Sequence, residues 1–178
     1  MRTLSLSVID LVQNSIRSGS SVVELSVKHN SACGLLAICI KDNGCGMSDD
    51  ELKLIIDPFY TSCKTHKVGL GVPLFVQRVC LTGGSYQIKS QKGIGTEISA
   101  TFNVNSVDFV PLGDMTEALV CMIISAPAVR FVYKFLSDDY SFAFDTSDFF
   151  GELSVDKNTP PFIKANLIKE YLADKIIQ

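Results

Sequence analysis

The order of secondary-structure signals predicts an α+β fold: an amphipathic helix opens the chain, strands follow in pairs, and helices separate the pairs. Three observations carry that expectation. Leu4, Val8, Leu11, Val12, Ser15 and Ile16 recur at helical spacing over residues 4–18, and Gly19 ends the pattern. Residues 22–27 and 35–41 alternate on either side of His29-Asn30-Ser31-Ala32-Cys33-Gly34, and residues 85–90 and 96–102 on either side of Gln91-Lys92-Gly93-Ile94-Gly95. Between these hairpins, Ser48-Asp49-Asp50-Glu51 reads as a capping box that starts a short helix ending at Asp57-Pro58. A second helix is expected over 72–81, with Pro73 in its first turn, where a missing N–H does no harm.

A chain of 178 residues has room for one domain, or one domain with an appended lobe. It is 47% hydrophobic and 20% charged, which suits a compact core, and its net charge of −3 argues against a nucleic-acid surface. The N-terminus turns amphipathic at once and is not a signal peptide. The longest apolar run, residues 119–124, is far too short to span a bilayer. A cytoplasmic protein without membrane contact is therefore expected. Six cysteines, at 33, 39, 45, 63, 80 and 121, form no Cys-x-x-Cys pair and are accompanied by only two histidines. A zinc or iron–sulfur site is not expected; reduced, mostly core thiols are.

Polar residues gather where the apolar stripes leave room. Asp10 and Asn14 are one helical turn apart and point the same way, with Arg17 beside Asn14. A carboxylate, an amide and a guanidinium on one flank can handle a metal-bound triphosphate. Asn14 could ligate Mg²⁺ through its carbonyl oxygen, Arg17 could fork onto phosphate, and Asp10 could orient a water. A solvated helix face is the plainer alternative. Lys41-Asp42-Asn43-Gly44-Cys45-Gly46-Met47 ends a strand in a sharp reversal whose backbone needs positive φ. It leaves one carboxylate beside exposed amides. Such a carboxylate can accept from an exocyclic amine, and the glycines let a flat ring approach, although Asp-Asn-Gly is also a common turn. Residues 61–71 lack periodicity, carry hydroxyls with Lys64 and Lys67, and finish in Gly69-Leu70-Gly71 before a helix. That combination reads as a lid over phosphates. Thr96 begins the last strand near the Asp42 turn, and its hydroxyl could share a water with Asp42 under a purine.

With these pieces placed, the chain resembles the ATP-binding domain shared by gyrase-type topoisomerases, MutL mismatch-repair proteins and sensor histidine kinases, the GHKL superfamily. Asp10-Leu11-Val12-Gln13-Asn14-Ser15-Ile16-Arg17-Ser18-Gly19 is similar to the asparagine box, and Asp42-Asn43-Gly44-Cys45-Gly46-Met47 to the first glycine box. Asp57-Pro58-Phe59-Tyr60-Thr61 is similar to the kinase phenylalanine box, Val68-Gly69-Leu70-Gly71 to the second glycine box, and Gly93-Ile94-Gly95-Thr96 to the third. The resemblance covers about residues 4–103. It implies a Bergerat-type fold, a two-layer α+β sandwich in which a mixed sheet is covered by helices on one face. It implies ATP and Mg²⁺ as cofactors. Asp42 would bind the adenine amine with Gly44, Gly46, Met47 and Thr96 beside it, and Asn14 would hold Mg²⁺. Arg17 would contact phosphate, and Lys67, Gly69, Leu70 and Gly71 would serve the lid. Asp10 stands where ATP-hydrolysing members carry a glutamate general base, and it is one methylene shorter.

The resemblance sets residues 1–105 apart as the ATP-binding domain and 106–178 as a small α+β extension. In the extension, Asp114-Met115-Thr116-Glu117 reads as a capping box before a helix over 118–125, and residues 130–136 and 140–144 as a hairpin across Ser137-Asp138-Asp139. Thr159-Pro160-Pro161 starts a final helix with Phe162, Ile163, Leu167, Tyr171, Leu172 and Ile176 as its apolar stripe. This lobe is expected to pack on, or swap between, ATP-binding domains, so a homodimer is one arrangement. The resemblance is to small stand-alone bacterial proteins. His29 falls in a turn and His66 in the lid, so no helical phosphoacceptor His is expected. Three functions follow: a slow ATPase or ATP-driven switch acting on a partner protein, a protein kinase acting in trans like the stand-alone anti-sigma kinases, and a non-catalytic ATP sensor.

Overall fold

The computed structural model describes residues 3–55, 71–153, 155, 159–173, 175 and 176. Helix α1 (Leu4–Arg17) buries Leu4, Ser5, Val8, Leu11, Val12 and Ser15, the stripe that the spacing predicts, with Ile16 only half-buried at its edge. Strands β1 (Val22–Asn30) and β2 (Leu35–Asp42) form the first hairpin. Helix α2 (Asp49–Leu54) starts with the expected capping box: the Ser48 amide donates to Glu51 Oε2 at 2.8 Å and the Glu51 amide to Ser48 Oγ at 3.4 Å. Its expected end at Asp57-Pro58 lies outside the described residues, as does the segment expected to form the lid. Helix α3 (Gly71–Leu81) leads into β3 (Ser85–Gln91) and β4 (Gly95–Asn103), the second hairpin.

The remainder is α4 (Met115–Ser125), β5 (Arg130–Leu136), β6 (Ser141–Asp145), α5 (Thr146–Glu152) and α6 (Pro161–Ala173). Only half of the capping box expected at Asp114 forms: Asp114 accepts from the Glu117 amide at 2.9 Å, but the Glu117 carboxylate turns to Lys169 of α6 at 2.7 Å. All six strands form one sheet in the order β3-β4-β2-β1-β5-β6. The sheet is mixed because β5 lies parallel to β1, from Val22 opposite Arg130 to Lys28 opposite Leu136, while the other pairs are antiparallel. The C-terminal strands thus continue the sheet of the first four. A single hydrophobic core runs through both halves.

The helices lie on one face. Alternation sends Val23, Leu25 and Val27, Leu36, Ile38 and Ile40, and Ile98, Ala100 and Phe102 toward them. Helix α3 packs over β3 and β4, α1 lies between α3 and α4, and α6 packs beside α4. This is the expected two-layer α+β sandwich. The outer face is polar. Lys89, Glu97, Lys41 and Glu24 stand in register across four strands, with Lys89 and Glu97 4.0 Å apart. Among the described residues no helix is long and apolar enough to cross a membrane.

Two expectations are corrected. In α6 the buried residues are Ile168 and Leu172, with Ile176 beyond, whereas Phe162 is 67% exposed and Ile163 and Tyr171 remain well exposed. The helix is apolar on more than one side, so its periodicity does not choose a face. Packing against α4 does. The cysteines among the described residues are not core residues: Cys33, Cys45, Cys80 and Cys121 are exposed and Cys39 is half-buried, all as free thiols, and Cys63 lies outside them. Cys39 sits on the outer face, where burial first and then the nearby Glu97 carboxylate push its thiol pKa up.

Candidate functional site

The parity that buries Leu36, Ile38 and Ile40 also turns Asp42 toward the helices at the end of β2. There its carboxylate meets three donors from the chain itself. Ser15 Oγ on α1 donates to Oδ2 at 2.7 Å, and Ser20 Oγ and the Gly44 amide donate to Oδ1 at 3.2 and 2.9 Å. Among the described residues, Oδ1 therefore has both acceptor directions filled, and Oδ2 keeps one. Asn43 fixes the turn from the other side: its Oδ1 accepts from the Ser21 and Val22 amides, each at 2.9 Å.

Thr96 stands directly opposite Asp42 on β4, and Ser90 directly opposite Thr96 on β3. The three form a polar row across the inner face where the core residues stop. Ser90 Oγ accepts from the Met47 amide at 2.8 Å, donates to the Gly95 carbonyl at 3.0 Å, and lies 2.9 Å from Thr96 Oγ1. The Asp42 turn is closed by the Cys45 amide donating to the Ser18 carbonyl at 2.9 Å and the Gly93 amide to the Cys45 carbonyl at 2.7 Å. Gly46 has φ +61°, and a Cβ there would strike the Gln91 carbonyl. Gly44 is buried, and a Cβ would strike the Ser18 hydroxyl. Both glycines are required by the packing of the turn itself.

One residue before Ser15, Asn14 is exposed, as are Asp10 and Arg17. Arg17 Nη1 is 3.5 Å from Asn14 Oδ1, so the expected neighbours do meet. The start of α3 comes down beside them: a Cβ on Gly71 would lie 3.5 Å from Asn14 Nδ2 and 3.6 Å from Asp10 Cβ. Asp10, Asn14 and Gly71 are thus brought together at one helix N-terminus, and Asp42 and Thr96 at one strand pair, with α1 joining the two groups. Lys67, Gly69 and Leu70 lie outside the described residues. Ser15, Ser20 and Ser90 were not among the expected site residues. Ser15 was legible only as a small member of the buried stripe, and Ser20 and Ser90 fall in no motif. A cavity of about 490 Å³ borders the same strand ends and runs onto the outer face over Glu24, Lys41 and Glu97.

Residues 2–106 match the family described as histidine kinase-, DNA gyrase B- and HSP90-like ATPases. The match takes in more than half of the chain, and the chain belongs to that family: it carries an ATP-binding domain of the kinase-like ATPase type. Among its relatives, sensor histidine kinase TmoS of Ectopseudomonas mendocina is 38% identical over 42% of this chain and 8% of its own length. A Shewanella frigidimarina protein named for a sensor role is 35% identical over 57% of this chain and 16% of its own. Sporulation kinase B of Bacillus subtilis is 31% identical over 54% and 22%. The chain spans less than a quarter of the length of each of these relatives.

Proposed function

We propose that the chain binds Mg²⁺–ATP through residues 1–105, with 106–178 as its extension, and works as a slow ATPase or ATP-driven switch that regulates a partner protein. The observation that carries this reading is the Asp42 carboxylate, held by Ser15, Ser20 and Gly44 with one acceptor direction left over and Thr96 opposite. That direction suits one N–H of the adenine amine. Asp42's donors come from the helix side, so the nucleotide would lie between helices and sheet rather than in the outer cavity. Gly44, Gly46 and Met47 would shape the base pocket through their backbone.

The phosphates would lie along α1 toward the N-terminus of α3, whose dipole end and free amides favour anions. Gly71 is there, Lys67, Gly69 and Leu70 precede it, and Arg17 supplies a guanidinium. The residues present fit a hard cation: among the described residues, Asn14 Oδ1 is exposed and engaged only by a 3.5 Å contact. Asn14 would hold Mg²⁺, which when bound offsets phosphate charge. Asp10, one turn away on the same flank, would orient a water as general base. The test is ATP titration with and without Mg²⁺, with free phosphate measured from wild type and Asp10→Asn. Unchanged ATP affinity with turnover reduced by ~10²–10⁴-fold is expected. Equal turnover in both proteins would remove Asp10 from catalysis.

The kinase names of the relatives favour a second reading, phosphotransfer to a partner protein. His29 lies on β1 rather than in the expected turn, because the strand runs on to Asn30, and His66 lies outside the described residues; in this reading the acceptor would be on the partner. Label from γ-labelled ATP appearing on a co-purified protein, rather than as free phosphate, would select this reading over the ATPase. Binding without either product would select the sensor.

A further inference from the structure

We propose that Ser90, on β3 and outside every motif, is a specificity-determining residue that fixes Thr96 as a hydrogen-bond acceptor and so selects 6-amino over 6-oxo purines. The inference rests on the adenine reading of the Asp42–Thr96 pair and adds to it the residue that sets its polarity.

A serine hydroxyl has one hydrogen and two acceptor directions. At Ser90 the Met47 amide, necessarily a donor, takes one acceptor direction at 2.8 Å. The Gly95 carbonyl, necessarily an acceptor, takes the hydrogen at 3.0 Å. The third contact, to Thr96 Oγ1 at 2.9 Å, can then be made only if Thr96 donates. The Thr96 hydrogen is thereby spent on Ser90, and its oxygen offers the site only lone pairs. Across the strand pair the Asp42 carboxylate is an acceptor in all three of its bonds. Two neighbouring acceptors with no donor between them match the two N–H groups of an exocyclic amine. A water bridging them would donate to both and present its own lone pairs to the base. In either arrangement a 6-oxo group meets lone pairs and is rejected, because a polar atom left unpaired in a closed site is penalised more than a made bond gains.

Ser90→Ala releases the Thr96 hydrogen, which can then turn toward a 6-oxo oxygen. The experiment measures calorimetric affinities for ATP and for inosine triphosphate, which carries a 6-oxo group on the same sugar and triphosphate. Wild type should prefer ATP. Ser90→Ala should lower the ATP-to-ITP ratio by about tenfold, the scale of one hydrogen bond, and Ser90→Thr should restore it. In a Thr96→Val background Ser90→Ala should leave the ratio where Thr96→Val alone sets it, since Ser90 acts through Thr96. Thr96→Val alone keeps both backbone bonds of Ser90 and must itself lower the ratio; no change there overturns the proposal however Ser90→Ala folds. An unchanged ratio in folded Ser90→Ala, or an equal drop with and without Thr96, also overturns it. Asp42→Asn separates the two levels. If ATP affinity survives that change, the adenine reading falls. If it is lost while Ser90→Ala keeps the wild-type ratio, only Ser90 falls.

Discussion

The two ends of the sheet use the same architecture for opposite purposes. At the β2-β4-β3 end, the inner row stops being apolar and becomes Asp42, Thr96 and Ser90, with Ser15 and Ser20 turned toward it. At the β5-β6 end the corresponding layer is packed with rings. Phe144 lies 5.3 Å from Phe149 and 5.8 Å from Tyr171, and Phe149 lies 4.9 Å from Tyr171, centroid to centroid. Phe131, Tyr133 and Phe135 fill the strand beneath. The contrast teaches what makes a gap between layers usable. Aromatic packing uses up its surfaces on itself, whereas a polar row whose members satisfy one another only in part keeps acceptor directions on Asp42 and Thr96.

Phe144→Ala should break the packed end most severely. Removing a ring that is 2% exposed should lower unfolding free energy by about 3–5 kcal/mol in denaturant titration. ATP affinity of the folded fraction should stay within about twofold; a parallel loss of affinity would mean the two ends are not separable. Asp42→Asn should do the reverse. Its amide can present N–H where an acceptor is needed, so ATP binding should weaken by about 1.5–3 kcal/mol in calorimetry while the unfolding midpoint holds. Tyr133→Phe sharpens the contrast from inside the packed end. The Tyr133 hydroxyl is buried without a partner among the described residues, and burial drives its pKa well above the ordinary tyrosine range. Deleting that oxygen should stabilise the protein by about 1 kcal/mol; a loss instead would reveal a hydrogen bond there.

The smallest effect belongs to the outer rim. Arg130 forks onto Asp145 with Nη2 2.5 Å from Oδ2 and holds that carboxyl below its usual range. A depressed folded value means the pair stabilises above the unfolded pKa and stops doing so as pH falls through the folded one. Arg130→Ala should therefore cost little near neutrality, because the guanidinium is solvent-screened. The difference from wild type should close below about pH 4. A gap that widened in acid would contradict the assignment.

Local signals carried much of the fold. The α1 stripe, both hairpins around their turns, and the capping box at Ser48 depend on residues within a few positions of one another, and each forms as the spacing predicts, whereas the box at Asp114 loses its Glu117 half to the distant Lys169. Asp42 and Thr96 were legible as neighbours, because two hairpins in one sheet leave few registers. What the sequence hid depends on distant partners. Ser15 looks like any small residue in a buried stripe until Asp42 arrives from β2, and Ser90 looks like any strand serine until Met47, Gly95 and Thr96 converge on it. The place of β5 was equally hidden: its alternation announces a strand but not which strand it joins. Helix α5, seven residues directly after β6, is too short to register a period.

The parallel pairing of β5 with β1 has a consequence for how the molecule is made. Val22 and Arg130 are partners more than a hundred residues apart, so this seam has high contact order and forms late. During synthesis β1 leaves the ribosome long before the strand that will cover it, and until then it is a bare template for pairing with another chain. The later-made β5 is in this sense a chaperone for the earlier β1, and a chain truncated before β5 would carry an unprotected edge that invites aggregation.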